Sequence, residues 1–175
     1  IIEINDILNQ FLDFARGFQD EPKIPVNLGK LLKDIQTKHK RMGHNFMLKK
    51  KNIRTDIPKK LFIDLRILAF QRCIDNLINN AFFYAKGKVI LEASLLEESF
   101  TIAIIDNGPG IPEDQKSKLL LPFERVDEAR GNKGGSGLGL TIADRIIKAH
   151  DGKLELINRP EGGLTAKITI PIITA

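Results

Sequence analysis

Cysteine and tryptophan are nearly missing from this sequence of 175 residues, which contains one cysteine and no tryptophan. The single cysteine, Cys73, cannot form an internal disulfide, and no Cys/His cluster has the spacing of a metal site. The chain therefore fits a reducing, cytosol-like compartment. We expect Cys73 to be a small core residue.

Long apolar runs are also missing, and aromatic residues make up only 6% of the chain. No stretch has the length of a transmembrane helix, and no signal segment is present. The first residue is Ile rather than Met. We therefore expect a piece of a longer protein, whose membrane topology belongs to sequence that is not present.

The net charge is +5, and residues 21–60 carry twelve Lys or Arg residues against three Asp or Glu residues. A basic surplus of this kind can mark a nucleic-acid surface. These lysines have no interleaved aromatic platform and no recognition-helix or RNA-binding signature. A solvated face or a docking surface for an acidic partner fits better, and we expect no nucleic-acid partner.

Residues 1–18 repeat apolar residues at alternating spacings of three and four, which predicts a helix with the seam of a bundle. The seam consists of Ile1, Ile4, Leu8, Phe11, Ala15 and Phe18. Such a helix needs partner helices, either from missing sequence or from a second copy of the chain. Two prolines then mark a linker. We divide the chain into a helix at 1–20, a linker at 21–25 and a main domain at 26–175.

The central stretch of the chain predicts an amphipathic helix that begins with Asp64 as its cap and ends near Ala85. Its apolar positions are Phe70, Cys73, Ile74, Leu77, Ile78 and Ala81. Asn76 and Asn80 lie four residues apart and share a face, with Tyr84 one step further along it. Amide groups in a row suit a hydrated metal and phosphate oxygens. An exposed helical edge fits the same pattern.

The remaining elements alternate between helices and strands. Asn27 is the predicted cap of a helix that runs to about Met42. Strands are predicted at 46–48, 52–57, 61–63, 88–95, 100–105, 153–157 and 164–170. Pro112 is predicted to open a helix of about ten residues, and a further helix begins near Gly139.

An acidic and glycine-containing motif follows the strand at 100–105, with Asp106, Gly108 and Gly110 in alternate positions. A carboxylate at the end of a buried strand needs a partner, and the exocyclic amine of a purine is one candidate. The glycines permit a sharp turn and the close approach of a flat ligand. A plain turn at the end of the strand has the same composition.

A second glycine-rich motif contains Gly135, Gly137, Leu138 and Gly139 and leads into a helix. Free N–H groups and the dipole at a helix start form a site for phosphate. The motif is not a P-loop, because no Gly-Lys-Ser/Thr follows. It is not the dinucleotide fingerprint either, because no strand precedes it.

In order, the chain carries Asn-x-x-x-Asn, Asp-x-Gly-x-Gly, Pro-Phe-Glu-Arg at 122–125 and Gly-x-Gly-Leu-Gly-Leu at 135–140. This set resembles the N, G1, F and G2 boxes of the catalytic and ATP-binding domain of sensor histidine kinases. That domain has the GHKL, or Bergerat, fold shared with DNA gyrase and the Hsp90 chaperone. The resemblance covers residues 26–172, and the closest general likeness is to osmosensor-type kinases. Residues 1–18 resemble the end of the second helix of the dimerisation and phosphoacceptor domain.

The resemblance implies an α/β (α+β) two-layer sandwich, with a mixed sheet of about five strands, three helices on one face and an N-terminal helix from a dimerisation bundle. It implies transfer of the ATP γ-phosphoryl group, with Mg²⁺, to a histidine on an absent phosphoacceptor domain of the same or a paired chain. A response regulator would receive the phosphoryl group next. The parent would be a homodimer in the inner (plasma) membrane, with this domain in the cytoplasm.

The resemblance also implies a role for each matched residue. Asp106 would bond the adenine amino group, and Gly108 and Gly110 would give clearance to the base. Asn80 would hold Mg²⁺, and Asn76 would meet the phosphates or their water shell. Further ATP contacts would come from Tyr84 at the base or ribose and from Gly135, Gly137, Leu138 and Gly139 at the phosphates. Arg125, in a lid at 111–136, would reach the γ-phosphate, although a solvated loop cation fits it equally. Phe123 would anchor that lid in the core.

The sequence departs from the family in two ways. Many members carry Lys or Arg where Phe83 stands, so Lys86 or Lys133 would have to replace that cation. The phosphoacceptor motif, a His followed by an acidic residue and Arg-Thr-Pro, is absent. We expect the three histidines, His39, His44 and His150, to be surface or helix-capping residues, and the chain to lack its own histidine substrate.

Two other functions stay open. A GHKL-type ATPase is one, but those relatives place a Glu where Asn76 stands, and Asn cannot accept a proton from water at neutral pH. The other is a nucleotide-sensing interaction module without kinase activity. The intact set of Asn80, Asp106 and glycines argues against such degeneracy.

Overall fold

The computed structural model describes residues 4–5, 8–9, 11–12, 15, 18, 20–43, 46–51, 62–85, 87–96, 98–124 and 137–172. The helices are α1 (Leu28–Arg41), α2 (Ile67–Tyr84) and α3 (Gly139–Lys148). The strands are β1 (Ile24–Asn27), β2 (Phe46–Lys51), β3 (Phe62–Leu65), β4 (Val89–Leu95), β5 (Ser99–Ile105), β6 (Lys153–Asn158) and β7 (Leu164–Pro171). None of the helices described is long and apolar enough to cross a membrane.

The main sheet has five strands in the order β2-β4-β5-β7-β6. The β2–β4 pair is parallel and the other three pairs are antiparallel, so the sheet is mixed as predicted. A separate two-stranded sheet pairs β1 with β3, which places the last residues of the predicted linker in a strand. The predicted strand at 52–57 lies outside the described residues.

The core lies between this sheet and the three helices. Alternate residues of β4 and β5 are buried, as expected for strands with one covered face. The six apolar positions predicted for the central helix are all buried in α2, including Cys73. Burial raises the pKa of the Cys73 thiol well above its usual value, and the thiol contacts the Ala143 carbonyl oxygen at 3.8 Å. The predicted sandwich with three helices is confirmed.

Helix starts follow local chemistry in one case and distant contacts in another. Asn27 caps α1 as predicted, because its Oδ1 accepts a hydrogen bond from Lys30 N–H at 2.9 Å. The cap predicted for α2 is wrong: Asp64 lies in β3, and the helix begins after Arg66. The Glu21 carboxylate supplies the missing acceptors, at 2.8 Å from Leu68 N and 3.0 Å from Ala69 N.

Two other expectations are wrong. The helix predicted after Pro112 is two short 3₁₀ turns, Glu113–Gln115 and Lys118–Leu120. The surface alternative for His39 and His150 is wrong, since they are 1% and 3% exposed, whereas His150 does cap a helix end, because its Nδ1 bonds to Ile146 O in the last turn of α3 at 2.7 Å. His44 lies outside the described residues.

The described positions of the N-terminal segment at 4–15 are helical, in agreement with the periodicity. Several of its apolar side chains are exposed, namely Ile4, Leu8, Phe11 and Leu12. Phe18 packs against the main core. A partner for the exposed apolar side chains, as expected from the sequence, stays a prediction.

Candidate functional site

The candidate site begins with the row of polar side chains on α2. Asn76, Asn80 and Tyr84 are each half-buried, and the buried core residues Leu77, Ile78 and Ala81 lie between them along the helix. Asn76 Nδ2 is buried and has no hydrogen-bond partner within the described part of the chain. A buried amide donor without a partner is costly, so a ligand acceptor such as a phosphate oxygen fits this position.

Asp106 directly follows β5, the central strand of the main sheet, and so lies where that strand ends. The residue is 4% exposed, and its Oδ1 accepts hydrogen bonds from Gly108 N at 2.8 Å and Leu164 N at 3.1 Å. Among the described residues, both bonds to the carboxylate go to Oδ1. Oδ2 can therefore accept from a ligand donor, such as an exocyclic amine.

The two glycines that follow Asp106 are required by contacts within the protein. A Cβ on Gly108 would lie 2.6 Å from the Tyr84 carbonyl oxygen, which brings the end of α2 against this loop. A Cβ on Gly110, whose φ is +75°, would lie 2.7 Å from Asn158 Oδ1. The close contacts within the protein are thus one reason for glycine at both positions. Clearance for a flat base, the other reason, stays a prediction.

The start of α3 meets the other end of the polar row. A Cβ built on Gly139 would lie 3.9 Å from Asn76 Cβ, so the first turn of α3 faces Asn76. Leu138 is fully buried and its side chain belongs to the main core. The N–H groups and dipole of this helix start suit an anion. The polar row on α2 thus has two different ends. At Tyr84 it meets the loop that follows Asp106, and at Asn76 it meets the start of α3, which favours an anion.

Phe123 departs from the expectation. Its side chain is 60% exposed, so it does not anchor the segment in the core. Instead its backbone, at φ +65°, approaches Gly137, and Phe123 N donates to Gly137 O at 3.1 Å. A Cβ on Gly137 would lie 3.0 Å from the Phe123 backbone, which explains a glycine with φ +73° there.

Several predicted residues cannot be placed. Gly135, Arg125, Lys86 and Lys133 lie outside the described residues. Phe83, which stands where many family members carry a cation, is 54% exposed and packs edge-on against Tyr84 with 4.9 Å between ring centroids.

Sequence reasoning predicted the turn between β6 and β7 but missed its contacts with the Asp106 loop. Asn158, Arg159 and Gly163 all contact the segment from Asp106 to Ile111. The glycines at 162 and 163 marked only a turn in the sequence, and nothing there indicated which distant loop the turn would meet.

The fold and the motifs together define a class. The family model described as histidine kinase-, DNA gyrase B-, and HSP90-like ATPase matches residues 66–174, and the chain belongs to this family. The relatives that it matches include sensor histidine kinases. The adaptive-response sensory kinase SasA of Prochlorococcus marinus (strain MIT 9313) is 32% identical over 126 residues, which cover 69% of this chain. The chain matches 34% of the length of that relative, about a third.

Solved structures of histidine kinases are similar to this chain as well. The histidine kinase domain of the E. coli osmosensor EnvZ has a TM-score of 0.66 at 27% identity, over 88% of this chain and 91% of that one. Full-length ShkA in complex with AMPPNP has a TM-score of 0.79 at 22% identity, over 97% of this chain and 36% of that one. The resemblance to the histidine kinase family, osmosensor kinases included, is confirmed.

Proposed function

We infer that this chain is the ATP-binding catalytic domain of a sensor histidine kinase. It binds ATP with Mg²⁺ and transfers the γ-phosphoryl group to a histidine on a helical phosphoacceptor domain. The observation that carries this proposal is the buried Asn76 Nδ2, which has no hydrogen-bond partner among the residues that the structure describes. It lies at one end of a polar row whose other end contacts the Asp106 loop. The row from Asn76 to Tyr84 spans about 12 Å, enough for an extended nucleotide.

Each end of the row would take a different part of the nucleotide. Asp106 Oδ2 would accept from the adenine amino group, with Tyr84 beside the base or ribose. At the other end, Asn76 and the backbone of Gly137, Leu138 and Gly139 would contact the phosphates.

The middle of the row would take the metal. Asn80 lies between the two ends, and its amide oxygen would hold Mg²⁺, a cation that prefers oxygen ligands. Gly135 would join the phosphate contacts and Arg125 would reach the γ-phosphate, as the resemblance implies.

The chemistry asked of the protein is positioning and charge neutralisation. Phosphoryl transfer needs the attacking atom, the γ-phosphorus and the leaving oxygen in line, with cations on the phosphate oxygens. An amide at Asn76 can bind a phosphate oxygen, but it cannot take a proton from water. This favours transfer to a histidine over hydrolysis.

The proposal includes partners. The exposed apolar side chains of the N-terminal helix, Ile4, Leu8, Phe11 and Leu12, support a helical bundle that holds the phosphoacceptor histidine and makes the parent a homodimer. A response regulator would take the phosphoryl group from that histidine. The parent would be anchored in the plasma membrane with this domain in the cytoplasm.

Calorimetric titration with ADP and with a non-hydrolysable ATP analogue, with and without Mg²⁺, tests the site. We expect saturable binding to one site that weakens when EDTA removes the metal. No heat and no change in melting temperature at millimolar Mg-ADP would contradict the site. Transfer of labelled phosphate from ATP to a separately supplied phosphoacceptor domain would support the kinase, whereas hydrolysis without transfer would favour the ATPase.

A further inference from the structure

The side chain of Asn158, the last residue of β6, bonds to both backbone polar groups of a residue 47 positions earlier. Its Oδ1 accepts from Ile111 N at 2.9 Å, and its Nδ2 donates to Ile111 O at 2.6 Å. A further bond runs from Nδ2 to Glu113 Oε1 at 3.1 Å. The amide thus pairs with Ile111 as the backbone of a neighbouring strand would, and it holds this point of the chain in place.

The same turn also holds the Asp106 end of the loop. Arg159 Nη1 donates to the Asp106 carbonyl oxygen at 3.1 Å, and Leu164 N donates to Asp106 Oδ1 at 3.1 Å. Gly163, with φ +96°, allows this approach, since a Cβ there would lie 2.1 Å from the Asp106 carbonyl oxygen. The loop from Asp106 to Ile111 is therefore held at both ends by the β6–β7 turn.

The residue before Ile111 is shaped by this contact. Gly110 has a φ of +75°, and any side chain there would meet Asn158 Oδ1. Ile111 itself is buried in a small cluster with Leu119 and Leu164, separate from the main core. Both the backbone conformation and the packing of this end of the loop thus depend on where Asn158 sits.

We propose that Asn158 is a positioning residue for nucleotide selection: it fixes the 106–111 loop so that Asp106 Oδ2 faces the adenine amino group. The inference rests on the proposed function. It assigns the ability to distinguish adenine from guanine partly to a side chain that does not touch the base. Adenine presents a donor to Asp106 at its exocyclic position, whereas guanine presents an acceptor there, so a misplaced loop reduces this discrimination.

The test compares Asn158→Ala and Asn158→Asp with the wild-type chain, and uses Asn79→Ala as the control because Asn79 is exposed on α2. Asn158→Ala removes two bonds to Ile111 and one to Glu113. We expect the Kd for Mg-ADP to rise about 10-fold, because binding must then restore part of the lost order of the loop. The ratio of Kd values for Mg-GDP and Mg-ADP should fall as well. Asn79→Ala should leave both quantities unchanged.

Asn158→Asp separates hydrogen bonding from packing, because the two side chains have the same shape. At pH 8 the introduced carboxylate faces the Ile111 carbonyl oxygen and the Glu113 carboxylate. The Asn158→Asp chain should therefore bind Mg-ADP no better than the Asn158→Ala chain. The neighbouring Ile111 carbonyl oxygen and Glu113 carboxylate disfavour a charge at this position, so the introduced carboxyl should have a pKa above its ordinary value of about 4. At pH 5.5 part of it is then protonated and can donate to Ile111 O, so the binding deficit of this variant relative to wild type should shrink. A purely packing role predicts wild-type behaviour at both pH values.

The outcomes are distinguishable. If wild type does not bind Mg-ADP, the proposed function fails. If wild type binds, and Asn158→Ala shows a Kd within twofold or an unchanged selectivity ratio, the inference on Asn158 is overturned. General destabilisation by Asn158→Ala would reduce binding of both nucleotides equally, leave the ratio constant and also count against the inference. If Asn158→Ala does not fold, the pH-dependent recovery of Asn158→Asp decides.

Discussion

Replacement of Asp106 by Asn tests the base-binding end of the site with little disturbance of the fold. The carboxylate is 4% exposed, and both of its bonds from Gly108 N and Leu164 N reach Oδ1. The amide oxygen of Asn can occupy that position and keep both bonds. Its NH₂ group then replaces Oδ2 and turns a donor toward the adenine amino group, which is also a donor.

The loss can be estimated from these contacts. A hydrogen bond to a charged acceptor contributes about 1.5–3 kcal/mol, and leaving the ligand donor unpaired adds to the cost. A total of about 2–4 kcal/mol raises the Kd for Mg-ADP roughly 30- to 700-fold. Asp106→Ala, which removes both internal bonds, should in addition lower the free energy of unfolding.

Titration calorimetry and thermal melting measure this change. With ADP at about 100 times its Kd, wild type should gain about 2.7 kcal/mol, or roughly 5–10 °C in Tm. Asp106→Asn should melt near wild type without ligand, and at the same ADP concentration it should gain only about 0.1–0.9 kcal/mol. The exposed Asp64→Asn serves as control and should respond like wild type. Binding by Asp106→Asn within threefold of wild type would refute the assigned role.

Three other predictions concern the metal ligand, a buried histidine and a glycine. Asn80→Asp should bind Mg-ADP within about threefold of wild type yet lose about 100-fold in phosphotransfer, because the metal and γ-phosphate shift. Burial lowers the pKa of His150, whose Nε2 accepts a hydrogen bond from Arg66 N at 2.9 Å. As the pH drops, the imidazole is therefore protonated in the unfolded chain before it is protonated in the folded one. The free energy of unfolding should fall below about pH 6.5. Gly163→Ala should unfold at clearly lower urea concentration, because its Cβ would meet the Asp106 carbonyl oxygen.

Each has a control within the chain. Asn79→Asp, next to Asn80 but exposed, should keep phosphotransfer to a supplied phosphoacceptor domain. His150→Gln should flatten the pH dependence of the urea midpoint between pH 7 and 5, and an unchanged slope would contradict the role given to His150. Gly162→Ala introduces a Cβ that has no neighbour within 4 Å in the described part of the chain, so it tests the strain at positive φ without a clash. An equal fall in the urea midpoint for Gly162→Ala and Gly163→Ala would contradict the clash with the Asp106 carbonyl oxygen.

Local patterns predicted much of the fold. The apolar stripe of α2 and the alternation in β4 and β5 each reflect one buried face, and a single sequence records such a face directly. Asn27 caps α1 through a hydrogen bond to Lys30, only three residues away, so the sequence also predicts this cap. The motif residues Asn76 and Tyr84 meet Gly139 and Gly108, as expected if separate segments form one site.

Contacts between distant segments were not predictable. Asn158 reaches back 47 residues to Ile111, and Glu21 reaches forward 47 residues to Leu68. Neither residue belongs to a periodic pattern, and the segment around each has the ordinary composition of a turn or linker. His150 was expected at the surface or at a cap because it precedes Asp-Gly. It does cap the end of α3 through Ile146 O, but it is buried, and its second ring nitrogen bonds to the distant Arg66 N, a contact that the sequence does not indicate.

The contact between Glu21 and the first turn of α2 bears on where this domain can be cut. A fragment beginning at residue 26, where the motifs suggest a boundary, would retain every candidate site residue. It would also lose the acceptor for two backbone amides at the start of the helix that carries Asn76 and Asn80. Such uncapping costs a helix about 1 kcal/mol. The smallest fragment suited to nucleotide work therefore starts ahead of Glu21.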